Sequence, residues 1–80
     1  MTIRFSRHAR RRMNLYKIDE KDVLDTIQNI SLKGEATGKK EVINENLSLK
    51  YGHPLKVIFF WENDKITVVS VYPFIRRHGA

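Results

Sequence analysis

The sequence predicts an α+β domain in which two N-terminal helices pack on a curved antiparallel β-sheet meander. Two features carry that expectation. Apolar residues recur at helical spacing early in the chain, first Ala9, Met13 and Tyr16, then Val23, Ile27 and Ile30. Two runs rich in β-branched and aromatic residues, 55–61 and 66–72, alternate near the end and are joined by a short polar turn.

Residues 3–5 read as a short edge strand, and Ser6 offers an N-cap whose hydroxyl accepts from the free amides of a first helical turn. Residues 7–16 contain no Gly, Pro or β-branched residue, so they can run as helix. Lys17-Ile18 is a tight connection, and Asp19 stands as the cap of a second helix from residue 20 to about 29, with Val23, Leu24, Ile27 and Ile30 as its buried face. Asp19, Glu20 and Asp22 suit the positive end of its dipole. Residues 31–40, with Gly34 and Gly38, read as a polar loop. Residues 41–45 read as a strand, and Leu47, Leu49 and Tyr51, alternating with Ser48 and Lys50, as another. Gly52-His53-Pro54 breaks the chain before the two clearest strands.

Asn63-Asp64 serves as the hairpin loop, because both residue types tolerate positive φ, and Glu62 then faces Lys65. Pro73 ends the last strand and leaves a tail, 74–80, that carries Arg76, Arg77 and His78. Alternation puts Leu55, Val57, Phe59, Trp61, Ile66, Val68 and Tyr72 on one face and Ile58, Phe60, Val69 and Val71 on the other. The bulkier face, with Phe59 and Trp61, is expected to meet the helices. The second face is then covered by the tail, or open to a partner or a second copy of the chain.

The 80 residues are expected to form one domain, 1–80, since two hydrophobic cores do not fit in that length. A chain 41% hydrophobic and 30% charged is ordinary for a globular domain, and the absence of cysteine removes disulfides and thiolate metal sites. The first residues show no apolar signal region, and the longest apolar run, 57–61, is far too short to span a bilayer; the expected location is the cytoplasm, with no membrane partner. Fifteen Lys and Arg against nine Asp and Glu give a formal charge of +6, which favours phosphate partners through counterion release. Arg4, Arg7, Arg10, Arg11, Arg12 and Lys17 all precede the first acid, Asp19, so the charge is polarised along the chain.

On a helical wheel, Ala9, Met13 and Tyr16 centre the buried stripe of the first helix. His8 and Arg12 fall together on one flank at i and i+4, while Arg7, Arg11 and Asn14 point outward. Cations near a helix N-terminus are unfavourable by roughly 0.3–1 kcal/mol each at low salt. The pairs Arg7/Arg11 and His8/Arg12 add like-type i, i+4 contacts. An anion or an acidic partner protein would supply the missing charge, and the free amides of the first turn would assist. A solvated charged face, with His8 merely packing or capping, accounts for the same residues without a ligand.

The segment His8-Ala9-Arg10-Arg11-Arg12-Met13, followed by Ile18, Asp22-Val23 and Ile27, resembles the His-Ala-x-x-Arg-Met signature of a family of small uncharacterised prokaryotic domains, grouped with RelE/ParE-like toxins and related ribonuclease folds. Tyr16 and Lys17 stand where that pattern often continues with Arg-Gly. The resemblance implies a RelE-like α+β fold, a metal-independent endoribonuclease activity and a link to toxin–antitoxin pairs. Cleaving RNA requires a base for the 2′-hydroxyl proton, an acid for the departing 5′-oxygen and cations for the charged phosphorane. His8 is the acid–base candidate, since imidazole titrates near neutral pH, and Arg12 can grip the phosphate with its planar fork. Arg7, Arg11, Arg76 and Arg77 are candidate RNA- or phosphate-binding residues, and Tyr72 can stack on a base or donate a proton. Tyr72 fits the core equally well, and the tail arginines fit solvent.

Other chemistries find less support. His8, His53 and His78 share no metal-ligand spacing, no Gly-rich phosphate loop follows a strand, and Ser6 and Ser48 lack a base, so no metal or cofactor is expected. The expected function is an RNA-binding, metal-independent ribonuclease-like domain of toxin type. The alternative is a non-catalytic interaction module on the same fold. Its basic helix docks nucleic acid or an acidic protein such as an antitoxin, and its open sheet face pairs with another chain, a homodimer included.

Overall fold

The computed structural model describes residues 2–32 and 34–75. In chain order these form β1 (Thr2–Phe5), α1 (Arg7–Tyr16), α2 (Glu20–Gln28), β2 (Gly38–Asn44), a 3-10 turn (Glu45–Leu47), α3 (Ser48–Tyr51), β3 (Leu55–Glu62) and β4 (Lys65–Pro73). The sheet order is β1-β4-β3-β2. Strands β2, β3 and β4 form the expected antiparallel meander, whereas β1 lies parallel to β4, with Ile3 opposite Ile66 and Phe5 opposite Val68. The sheet is therefore mixed. A parallel neighbour needs a long crossover, and everything from α1 to β3 supplies it.

Helices α1 and α2 bury one face against the sheet. Ala9 and Met13 from α1, Val23 and Ile27 from α2 and Ile18 between them join Leu55, Val57, Phe59, Ile66, Val68 and Val71 in one core. The face carrying Phe59 and Trp61 meets the helices, as its bulk predicts. The corner between the helices is tight because Lys17 adopts a left-handed conformation, φ 54°, while its amide and that of Ile18 bond back to the carbonyls of Asn14 and Met13. A side chain in that conformation costs about 1–2 kcal/mol, which burial of Ile18 offsets. In the hairpin, Asn63 and Asp64 both have positive φ, 47° and 61°, and Glu62 pairs with Lys65 in register.

Two expectations about the sheet are corrected. Strand β4 carries a bulge: Val68 opposes Phe59 and Ser70 opposes Ile58, so Val69 has no partner residue. The extra residue inverts the alternation beyond it. Val71, expected on the open face, is fully buried, and Tyr72, expected among the core residues, turns to the open face and is half-buried. The second correction concerns residues 47–51, which form no strand. The 3-10 turn and the single helical turn α3 place Leu47 and Tyr51, four apart, against the core and leave Leu49 99% exposed. Alternation over five residues satisfies both periods, and burial decided for the helical one. Strand β2 begins at Gly38, three residues before the expected start at 41, so the preceding loop is shorter than expected.

The turn α3 is held by a polar clip to the start of α2. Lys50 Nζ lies 2.7 Å from both Asp19 Oδ2 and Asp22 Oδ2. The Tyr51 hydroxyl donates to Asp22 and accepts from the Asp19 amide at 3.1 Å. Asp19 occupies the N-cap position of α2, but its side chain makes no capping bond and serves Lys50 instead. At the other end of α2, the Thr26 hydroxyl donates to the Asp22 carbonyl and accepts from Asn44 Nδ2, both at 2.8 Å, which ties the helix to the end of β2. Hydrogen bonds from Lys50 and then Tyr51 hold the Asp22 carboxyl below the usual carboxylate range. Burial, then the bond to Asp22, pushes the Tyr51 hydroxyl up, and the two carboxylates push Lys50 up.

A carboxyl with a lowered folded-state pKa stabilises the fold above its unfolded value of 3.8 and loses that contribution as pH falls through the folded value. The urea midpoint should therefore drop below about pH 4, and Asp22→Asn should flatten that acid limb while lowering stability near neutrality. An acid limb unchanged in Asp22→Asn would assign the pH dependence to other carboxylates.

Candidate nucleic-acid interface

Helix α1 is anchored by Ser6. Its hydroxyl accepts from the Ala9 amide at 3.0 Å, as an N-cap should, and donates to the Val69 carbonyl at 3.2 Å. The Ser6 amide donates to the Val68 carbonyl at 2.9 Å. The bulge that leaves Val69 without a partner residue thus finds one at the helix cap. With Ala9 and Met13 fixed inward, the remaining α1 positions are fixed outward: Arg7, His8 and Arg11 are exposed and Arg12 is half-buried.

His8 and Arg12 meet as their i, i+4 spacing predicts. Arg12 Nε donates to His8 Nε2 at 3.4 Å, a long and weak bond on the surface. It requires Nε2 to be the unprotonated nitrogen, so the imidazole proton of that arrangement sits on Nδ1. Among the described residues, neither His8 nor Arg12 has another polar side-chain partner, and Arg7 and Arg11 have no ion pair. The first turn of α1 contains no acid. Arg10 is different: it reaches Glu20 at 3.3 Å and lies 5.2 Å from the Phe5 ring centroid, which makes it a strut between α1, α2 and β1.

The structure therefore brings Arg7, His8, Arg11 and Arg12 together on two turns of one helix. It does not bring Tyr72 to them. Tyr72 lies on the sheet face away from the helices, its ring centroid 6.0 Å from Lys56 Nζ. Arg76 and Arg77 lie outside the described residues. Two open hollows, one at the α1–α2 corner beside Arg10 and Lys17 and one between α2 and β2, include neither His8 nor Arg12. The basic face lies outside both hollows with Arg7, His8 and Arg11 exposed, which suits a polymer backbone rather than an enclosed small molecule. Among the described residues no three His, Asp or Glu side chains gather as a metal site, and no helix is long and apolar enough to cross a membrane.

The clip of Asp19, Asp22, Lys50 and Tyr51 went unread in the sequence because residues 47–51 fit a strand. An Asp-x-x-Asp pair at a helix start, with no capping serine, was the available signal that those carboxylates serve a side chain elsewhere.

Residues 5–73 match the model of a family described as a domain of unknown function, DUF4258. No curated protein and no solved structure matches the chain.

If Ser6 fixes the helix and hence the basic face, Ser6→Ala should lower the unfolding free energy by about 1–2 kcal/mol in urea titration, and Ser6→Thr should recover most of it. Equal stability of Ser6→Ala and the unaltered protein would remove the hydroxyl from that role.

Proposed function

The chain belongs to the DUF4258 family of domains of unknown function, and we propose that this member is an RNA-binding, metal-independent ribonuclease-like domain of toxin type on a RelE-like fold. The observation that carries it is the face formed by Arg7, His8, Arg11 and Arg12, with no neutralising acid among the described residues, at the positive end of a helix. Arg10, Lys50 and Lys56 are engaged by Glu20, by Asp19 and Asp22, and by Glu41, whereas Arg7, Arg11 and Arg12 cluster on one helix face with no acid of their own among the described residues, where an outside anion would supply the charge.

In this reading a backbone phosphate draws Arg12 away from His8. The guanidinium then grips the phosphate, and His8 Nε2 becomes free to take the 2′-hydroxyl proton. The 2′-oxygen attacks phosphorus to close a 2′,3′-cyclic phosphate, the bond to the 5′-oxygen breaks, and that oxygen takes up the proton that His8 accepted. Arg7 and Arg11 steady the flanking phosphates. Arg76 and Arg77, outside the described residues, are further candidates for holding the RNA backbone, while Tyr72 can serve only RNA that reaches the other sheet face. An acidic antitoxin would occupy the same helix face in competition with RNA.

One observation favours the second reading, a non-catalytic module that docks nucleic acid or an acidic protein. His8 has neither a carboxylate nor a second imidazole beside it among the described residues, so a single group would have to serve as both base and acid.

End-labelled RNA incubated in excess EDTA separates the two. The nuclease reading expects cutting that falls by roughly 10²–10⁴-fold in folded His8→Ala. RNA retained in a gel shift but left uncut by both proteins would establish the interaction module, and an absence of both cutting and retention would contradict RNA as the ligand.

A further inference from the structure

The sheet face turned away from the helices carries a row that crosses all four strands. Register aligns Lys39 with Phe60, Phe60 with Thr67, and Thr67 with Arg4. Alternation confirms which way they point: Phe59 beside Phe60 and both neighbours of Thr67 are buried, and Ile3 and Phe5 on either side of Arg4 pack on the core. Arg4 and Lys39 are exposed, and Phe60 retains 39% of its surface.

The charges flanking that row have an opposite charge close by or directly across in register, and among the described residues those within it do not. Glu41 lies 3.5 Å from Lys56, and Glu62 faces Lys65 in register, whereas Arg4 and Lys39 have no ion pair among the described residues. An exposed aromatic ring is thus flanked by two unpaired cations at strand spacings of about 5 and 10 Å. Thr67, the small side chain between Phe60 and Arg4, leaves the ring open on that side. Arg4 is also only four residues before His8, so the chain keeps their backbones within about 14 Å of each other around the β1 edge.

We propose that this row is a single-stranded RNA platform, on which a base stacks against Phe60 while Arg4 and Lys39 hold the phosphates to either side. The proposal rests on the RNA reading of α1 and extends that site over the β1 edge onto the sheet. The chemistry selects the occupant. Every base offers a π-face to a ring, and unpaired cations follow the backbone, whereas a duplex keeps its bases stacked inside. A second copy related by a twofold axis would bring Arg4 and Lys39 against their own kind, and the centre of a protein interface is depleted in lysine.

The test is fluorescence anisotropy with a labelled 2′-O-methyl oligouridine of about 12 nucleotides, within the range such platforms span. That probe lacks the nucleophile and so survives any nuclease activity. Phe60→Ala should weaken binding roughly 5- to 100-fold without changing the salt dependence, and Phe60→Tyr should restore it. Arg4→Gln and Lys39→Gln should each reduce the slope of log affinity against log salt by about 0.7. If Phe60→Ala binds like the unaltered protein while Arg11→Gln weakens binding, the platform is refuted and the α1 reading stands. If the unaltered protein binds no probe at any salt, both fall. If Phe60→Ala leaves RNA affinity alone but turns a dimer into a monomer in sedimentation, the face is a self-interface and the proposal is wrong.

Discussion

The architecture turns on Ser6. One residue ends β1, caps α1 and donates to the carbonyl of Val69, the bulged residue of β4. These three roles are coupled through geometry. Parallel pairing of β1 with β4 puts Ser6 beside Val68 and Val69, the bulge presents the Val69 carbonyl there, and the cap sets the rotation of the helix that follows. Once that rotation is set, Ala9 and Met13 must enter the core, and Arg7, His8, Arg11 and Arg12 must remain outside.

Electrostatics work against α1, and packing holds it. A helix of ten residues with cations crowding its N-terminal turns would be marginal in isolation, because the dipole and the like-charged i, i+4 neighbours both oppose it. Burial of Ala9 and Met13, the cap, and the Arg10 bridge to Glu20 and Phe5 outweigh that opposition. The acids that could relieve the basic face are engaged elsewhere, in the clip between α2 and α3 and in the Arg10 strut. Helix α1 is therefore divided: Arg10 is tied to Glu20 on one side, while Arg7, Arg11 and Arg12 carry no ion pair among the described residues. This separation gives the α1 face its chemical meaning, since an anion bound there meets no competing carboxylate.

Features written in short stretches were legible in the sequence. Ser6 followed by an unbroken helix-forming run located α1 and its cap, Ala9 and Met13 located its inner face, and Asn63-Asp64 located the hairpin. The spacing of His8 and Arg12 foretold their contact. Features that depend on distant strands were not legible. Parallel pairing of β1 with β4 joins residues more than sixty positions apart, and nothing local to either strand announces it. The bulge at Val69 breaks a period of two by one residue, so Val71 and Tyr72 exchanged faces without any change in hydrophobic content. Leu47 to Tyr51 offered alternation too brief to distinguish strand from helix. The row of Lys39, Phe60, Thr67 and Arg4 was hidden for the same reason as the parallel pairing. Its one local trace was Arg4 between Ile3 and Phe5, a lone cation in an apolar edge strand.

The central claim, that the basic face of α1 meets an RNA backbone, is tested most directly by nuclear magnetic resonance of the isotope-labelled protein titrated with a short single-stranded RNA at low salt. The backbone amides of residues 7–12 and the Nε–H of Arg12 should shift first and in proportion to RNA added, as Arg12 exchanges His8 for phosphate. Shifts confined to the α2–α3 clip or the β2 edge, with Arg12 Nε–H unmoved at saturation, would contradict it.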